Sequence, residues 1–276
     1  MRRFLILGHK SPVEPDFTLN DLPGAAGRLD VLCRAIGATL FLSHDIRRDV
    51  ETNLLLQNSV HVRISGELVR RLNPDERSTA ALIKHALKAL ADASVDEEVQ
   101  STPGIFVARR SLSDVINEFL REHSVPIVLH EEGEPAETFS FPDNPAFILS
   151  DHMEFAESDQ VQLADFPRIS LGAQALHTSQ AITIMHYLLD QRAQDVQDVL
   201  SDLVLAHKVW GEPKAQLIKT LLEDFDIPVN MMMHAPPSLY PMAVDGLAEV
   251  RLLVRARDLA KARRIITDYF EAPCEQ

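Results

Sequence analysis

Short apolar runs recur along the chain, and each stops abruptly on glycine or on polar residues. FLILG (4–8), VPIVLHEEGE (125–134), AFILSDH (146–152) and ISLGAQAL (169–176) share this form. Runs without an alternating polar face suit strands buried on both sides, which is the habit of a parallel sheet. Helical periodicity separates them. In GRLDVLCRAIGATLF (27–41), Leu29, Leu32, Cys33 and Ile36 fall on one face, and SLSDVINEFLREH (111–123) and SQAITIMHYLLDQRAQ (179–194) are also amphipathic. Asn73-Pro74-Asp75-Glu76 opens a further helix running to Ala91. Asn73 can cap it, Pro74 suits the first turn, and the acidic pair favours the positive end of the helix dipole. Strands alternating with helices predict an α/β domain, and ligands of such sheets bind outside the carboxyl ends of the strands. The strand-exit loops at 129–134, 149–155 and 170–178 are therefore the expected pocket. ATLFLS (38–43) reads as another strand, VETNLLLQ with SVHVRIS as an edge hairpin, IFVAR (105–109) as a strand and 93–104 as a loop.

The pattern restarts after residue 200. LVLAHKVWG (203–211) reads as a strand and EPKAQLIKTLLEDFD (212–226) as a helix with Ala215, Ile218, Leu222 and Phe225 inward. IPVNMMM (227–233) is a strand, 234–246 a proline-containing loop, AEVRLLVRA (248–256) a strand and RDLAKARRIITDYF (257–270) a helix. At 276 residues the chain exceeds one typical core. The expected division is a domain over 1–192 and a small α+β (βαββα, ferredoxin-like) domain over 203–276, joined by a polar helical connector.

The formal charge of −14 is unevenly spread: residues 1–80 carry +1 and residues 81–165 carry −12. This argues against broad non-specific nucleic-acid binding, which needs Lys and Arg at phosphates, but leaves room for a local basic surface. Arginine pairs stand at 2–3, 47–48, 70–71 and 109–110. No apolar stretch is long enough to span a bilayer, and the N-terminal run is too short for a signal-peptide core. Cys33 and Cys274 are far apart and form no CxxC, so neither a disulfide framework nor a structural zinc site is indicated. A cytoplasmic protein without metal is the expectation. HExxH, GxSxG and P-loop patterns are missing, and His130, His152, His177 and His186 read as ordinary hydrogen-bonded histidines. GAAG (24–27), ahead of a helix, is a weak anion-binding signal.

Seven blocks occur in order: DLPGAAGRLDVLCR (21–34), FLSHDIRRDV (41–50), LNPDERSTAALI (72–83), STPGIFVARR (101–110), LHEEGE (129–134), FILSDH (147–152) and SLGAQALHTSQAITIMHYLLD (170–190). Together they resemble the archaeal tRNA pseudouridine-54 N1-methyltransferase family of the SPOUT superfamily, over residues 1 to about 190. The resemblance implies a parallel sheet with a C-terminal trefoil knot, S-adenosylmethionine bound in a bent form within it, and a homodimer whose RNA meets the cofactor near the subunit interface. It implies cofactor contacts from Leu129, Gly133, Leu171, Gly172, Ala173, Gln174, Ala175 and Leu176, mostly through backbone. Of these Gly172 is the best single candidate, because a glycine at a strand exit admits a ligand edge; Leu129, Leu171 and Leu176 could equally be core. Asp30 and Asp49, in family-like blocks beside arginines, are the candidate acceptors for the N1 proton, and either could instead cap a helix or pair with Arg34 or Arg47. Arg28, Arg47 and Arg48 would hold phosphate or orient the base, or form surface ion pairs.

The chain departs from the family pattern at three places. Glu154 replaces a glycine in LSDHMEF, Ala181 replaces a cysteine in LHTSQAI, and Tyr187 replaces an asparagine in HYLLD. Positions 154 and 181 line the family's cofactor pocket. A glutamate at 154 could point outward, attract the sulfonium cation or obstruct the cofactor. These departures and the −12 segment support an alternative, a degenerate protein that binds cofactor or RNA without catalysis. The segment 203–270 resembles a small bacterial domain without established chemistry, sometimes described as signal-transducing; a partner-binding or dimerisation role is open to it.

Overall fold

The computed structural model describes every residue except 92, 95, 96, 235–248 and 272–276, and it divides into two compact units, Met1–Leu189 and Asp190–Gln276. In the first, β1 (Arg2–Gly8) is the parallel core strand expected from FLILG. It lies between β2 (Val50–Leu56) and β7 (Pro145–Ser150), both parallel to it. Beyond β7 come β6 (Val125–Pro135) and β8 (Arg168–Ser170), also parallel. On the other side β3 (Val60–Ser65), β5 (Ile105–Arg109) and β4 (Val99–Thr102) continue the sheet antiparallel, giving eight strands in the order β4-β5-β3-β2-β1-β7-β6-β8.

Both faces of this sheet are covered. Phe4 and Ile6 of β1 point into a core with α1 (Leu29–Leu40), α2 (Glu76–Ala91) and α5 (Thr178–Ser201), where Leu32, Ile36, Ile83, Leu87, Ile182 and Met185 are buried. Leu5 and Leu7 point the other way, against Val115, Ile116 and Phe119 of α3 (Leu112–Arg121) and Leu163 after α4 (Glu157–Gln162). Ser111 starts α3 with a capping box: its hydroxyl accepts from the Asp114 N–H at 3.3 Å, and the Asp114 carboxylate accepts from the Ser111 N–H at 2.8 Å.

Several sequence expectations are corrected. Residues 38–40 extend α1, and Phe41 makes only an isolated bridge to Ile46. The hairpin β2–β3 is interior rather than at the edge, because β5 pairs with β3 and β4 forms the edge from a segment read as loop. Polar groups disguised this: on the face away from α1, Arg3, Glu51, Arg63 and Glu98 form a continuous ion-pair chain, and Asn53 bonds the buried His61 at 2.9 Å. Burial pushes the His61 imidazole down to about 3, with the Arg110 and Arg63 charges adding to the effect.

The second unit has β9 (Leu203–Trp210), α6 (Glu212–Glu223), β10 (Asn230–His234), β11 (Glu249–Arg255) and α7 (Leu259–Glu271), with a three-stranded antiparallel sheet in the order β10-β11-β9. Ala215, Ile218 and Leu222 are buried against Val250, Leu252, Val254 and Ile266. Phe225, read as inward, lies past the end of α6 and is exposed. The strand read over 227–233 begins only at Asn230, and the loop from residue 235 onward lies outside the described residues.

Phe4 is fully buried, with its ring 5.2 Å from Phe147 and 4.9 Å from the His186 ring. Replacing it with alanine removes the centre of the larger core. Phe4→Ala is expected to lower unfolding free energy by about 3–5 kcal/mol, read from the midpoint shift in urea.

Candidate functional site

The site is built by strand exits. Since β1, β7, β6 and β8 are parallel, Gly8, Ser150, Leu129 and Ser170 carry the chain out at one edge of the sheet. Three anchored loops meet there.

The first follows β1. The His9 N–H donates to Asp151 Oδ2 at 2.9 Å, its Nδ1 lies 3.1 Å from Asp151 Oδ1, and its Nε2 lies 3.2 Å from Asp159 Oδ2. Both carboxylates are buried. The hydrogen bond that the His9 ring makes to the Asp151 carboxylate raises the His9 pKa above its ordinary value; burial works against it, and the Asp151 charge and Asp159 add to it. Burial pushes the Asp151 carboxyl up, but His9 and the N–H groups of Met153 and His9 outweigh that and hold it below the usual range. The cluster ties β1 to β7 and to α4. Among the described residues no group of three or more His, Cys, Asp and Glu side chains is arranged to hold a metal ion.

The second loop is GAAG. Gly27 has φ +53°, and a Cβ there would lie 1.9 Å from the Lys10 carbonyl oxygen, so only glycine lets this loop dock on the β1 exit. Arg28 follows at φ 64° and opens α1. Its guanidinium donates to both Asp30 oxygens, at 3.0 and 3.2 Å, and Arg34 donates to Asp30 Oδ2 at 2.8 Å. Burial pushes the Asp30 carboxyl up, and the two arginines overcome it, so Asp30 is an anion at neutral pH. Arg28 in turn feels the Asp151 charge, which places it on the same edge as the His9 cluster.

The third loop follows β8. Gly172 has φ +118°, a conformation for glycine, and a Cβ there would touch nothing within 4 Å. Ala173, Gln174, Ala175 and Leu176 are exposed around it, and Leu171 is half-buried. Thr178, at the start of α5, donates its hydroxyl to the carbonyls of Ser150 and Asp151 at 2.8 and 3.1 Å, which ties this loop to the β7 exit. Gly133 differs: a Cβ there would lie 2.5 Å from the Ile169 backbone, so strand packing already requires its glycine. Leu129 is half-buried against the core.

The remaining candidates are distributed more widely. Ala181 is buried within the larger core, while Glu154 is exposed with no hydrogen bond or ion pair among the described residues. Asp49 lies at the opposite end of the sheet, where its carbonyl accepts from the Arg2 N–H at 3.0 Å. The length of β1, about 20 Å, separates that end from Asp30. Arg48 is at the same far end and donates to the Gly66 carbonyl at 3.1 Å; Arg47 precedes it and is half-buried. One chain does not bring Asp30 and Asp49 together. His186 bonds the Thr39 carbonyl at 3.0 Å inside the core, and His130 accepts from the Glu132 N–H at 3.2 Å, as ordinary histidines do. Sequence reading missed His9 and Asp159. His9 directly follows a strand-ending glycine, a usable signal, whereas Asp159 belongs to a six-residue helix without one.

Loops leaving one edge of a parallel sheet, one of them an open glycine turn, are the arrangement in which α/β domains bind ligands. Residues 1–194 match the family model described as "Putative SAM-dependent RNA methyltransferase", and the chain belongs to that family. Relatives named tRNA (pseudouridine(54)-N(1))-methyltransferase include that of Haloarcula marismortui, 45% identical over 69% of this chain and 96% of its own length. That of Haloferax volcanii is 44% identical over the same shares. The fold is similar to that of Archaeoglobus fulgidus Nep1 bound to S-adenosylhomocysteine, at TM-score 0.52 and 16% identity, covering 70% of this chain and 99% of that one.

His9 supplies a pH test. Its pKa is raised in the folded state, so its stabilising pairing is fully present below its unfolded value of about 6.5 and is lost as pH climbs through the folded value. Asp151 is depressed, so its contribution needs pH above about 4. The difference in melting temperature between the native chain and His9→Asn is expected to be largest between these limits and to shrink toward pH 9.

Proposed function

We propose that this chain methylates N1 of pseudouridine-54 in tRNA, using S-adenosylmethionine bound by the loops at 129–133 and 171–176. The observation that carries this reading is the 45% identity, across 96% of the relative's length, with an enzyme named for that reaction. The open turn at Gly172 fits the cofactor, because its exposed backbone leaves a face that a planar ligand can approach. When bound, S-adenosylmethionine supplies an electrophilic methyl group. The protein must orient the base and receive the proton that leaves N1. Asp30 is the candidate acceptor: it is ionised and lies in the first turn of α1 at the strand-exit edge. Arg28, half-exposed above it, would hold the incoming phosphate or base.

The proposal extends to assembly. A role for Asp49, Arg47 or Arg48 at the far end of the sheet requires a second copy of the chain, so the working unit is a homodimer. The Thr178 contacts and the close packing of Gly133 on β8 support a trefoil knot through the exits of β6, β7 and β8. An enzyme acting on tRNA belongs in the cytoplasm. No helix among the described residues is long and apolar enough to cross a membrane.

Labelled S-adenosylmethionine and pseudouridine-54 tRNA test the reading. Transfer of label to N1 is expected, with Asp30→Asn lowering kcat/KM by about 10²-fold or more. Absence of transfer, with the Haloarcula marismortui relative active in parallel, would overturn it. If Asp49 also serves, Asp30→Asn and Asp49→Asn are each inactive alone. Mixed and re-equilibrated, they are expected to recover about a quarter of native activity, because one site of each mixed dimer is then intact. Glu154→Gly is expected to change cofactor affinity by less than about threefold in calorimetry, since a solvent-exposed side chain gains little Coulomb energy.

A further inference from the structure

The C-terminal unit carries a surface that methyl transfer does not account for. Along the open edge of β9 runs a groove of about 880 Å³, bounded by α6 and α7. Its rings are exposed: Trp210 is 62% accessible, Phe270 56% and Tyr269 44%. Phe270 meets Tyr269 edge-on at 5.5 Å and stacks with His207 at 6.0 Å, which sets these rings as a platform. Lys208, Lys214 and Arg263 also line the groove; among the described residues no carboxylate lines it, and Glu249 pairs with Lys208 at 3.4 Å. In a chain of formal charge −14 that local composition is unusual.

We propose that this groove binds single-stranded RNA, with bases stacked on Trp210, Tyr269 and Phe270 and phosphates held by Lys208, Lys214 and Arg263. Every base has a π face, so exposed aromatic rings beside cations suit an unpaired strand. A second copy of the chain would match such rings by apolar burial, yet it would bring the three cations against an identical set. A protein strand added to the edge of β9 would use its backbone and leave the cations without a role. Arg263 already donates to the Leu205 carbonyl at 3.1 Å, which occupies part of that edge. The choice of RNA over other polyanions rests on the reading of the larger unit as an RNA methyltransferase. The groove would then hold an unpaired segment of the same tRNA while the other unit modifies it.

Trp210 is the sole tryptophan of the chain, so its fluorescence reports on this surface alone. The test titrates the full-length protein with a twelve-nucleotide oligouridylate (a length of about one single-strand site) and with tRNA. Quenching is expected with both. A double-logarithmic plot of affinity against salt should have a slope near −2 for three phosphate contacts, roughly −0.7 each. Lys208→Gln/Lys214→Gln/Arg263→Gln should flatten the slope. Phe270→Ala should weaken binding by roughly fivefold or more and leave the slope intact. The altered side chains lie at the surface, so unchanged circular dichroism and melting are the folding control. No quenching by either RNA would overturn the proposal. So would a blue shift on raising protein concentration without an RNA response, which would mark a self-association face. Equal affinity for heparin, unaffected by Phe270→Ala, would reduce the surface to charge alone and also overturn it. The two readings fail separately: quenching without methyl transfer sinks the enzyme and spares the groove, and methyl transfer without quenching does the reverse.

Discussion

Burial of β1 on both faces governs the larger unit. Phe4 and Ile6 fill one core, Leu5 and Leu7 the other, and no face is left for water. A strand in that position can have parallel neighbours only if each connection crosses over through a helix, as α1 does between β1 and β2. The crossovers deliver the chain repeatedly to the same edge. The strand exits then converge, and polar residues excluded from the core collect there. His9, Asp151 and Gly172 share an edge because Phe4, Ile148 and Ile169 share a sheet.

Two ionic anchors stiffen that edge by different means. At Asp30, two guanidinium groups hold one carboxylate, so its charge is fixed and Arg28 is oriented in a left-handed backbone conformation. At His9, two carboxylates hold one imidazole, so the charge of the cluster depends on pH. A buried charge is tolerated when its partners are close and well directed. The His9 anchor joins segments distant in sequence, since Asp151 follows the neighbouring strand β7 and Asp159 lies in α4, while the Asp30 anchor is local to the start of α1. A loop bound at both ends loses little further entropy when a ligand arrives, which favours affinity for a flexible cofactor or nucleotide.

The core strands were legible because their side chains had no polar alternation: FLILG, VPIVL and AFIL could only be interior. The strand β4 was not legible, since VQST is polar and gains its place from pairing with β5 rather than from burial. ATLFLS misled in the opposite sense. It has strand composition, yet Thr39 bonds back to the Ala35 carbonyl at 2.7 Å and stays in the helix. Among site residues, Gly172 could be picked out because strand-exit glycines have a reason to exist. The separation of Asp30 from Asp49 was invisible, because a sequence block records proximity to arginines but not the direction in which α1 carries the chain. Gly133 has a packing reason that the sequence did not reveal: a side chain there would meet the Ile169 backbone of the neighbouring strand.

An acidic protein that handles RNA must solve an electrostatic problem. Carboxylates dominate residues 81–165, and a uniform field of that sign repels phosphate across a distance of about 10 Å at ordinary ionic strength. Attraction then has to be local, from cations that are held in place. Arg28 offers one such cation at the strand exits, held by a carboxylate that it shares with Arg34. A single paired arginine cannot supply the affinity that several phosphate contacts give. The groove proposed for the C-terminal unit would add three cations and three exposed rings, since stacking adds binding that salt does not screen. On the proposal above, the second unit would add grip on the same RNA rather than chemistry.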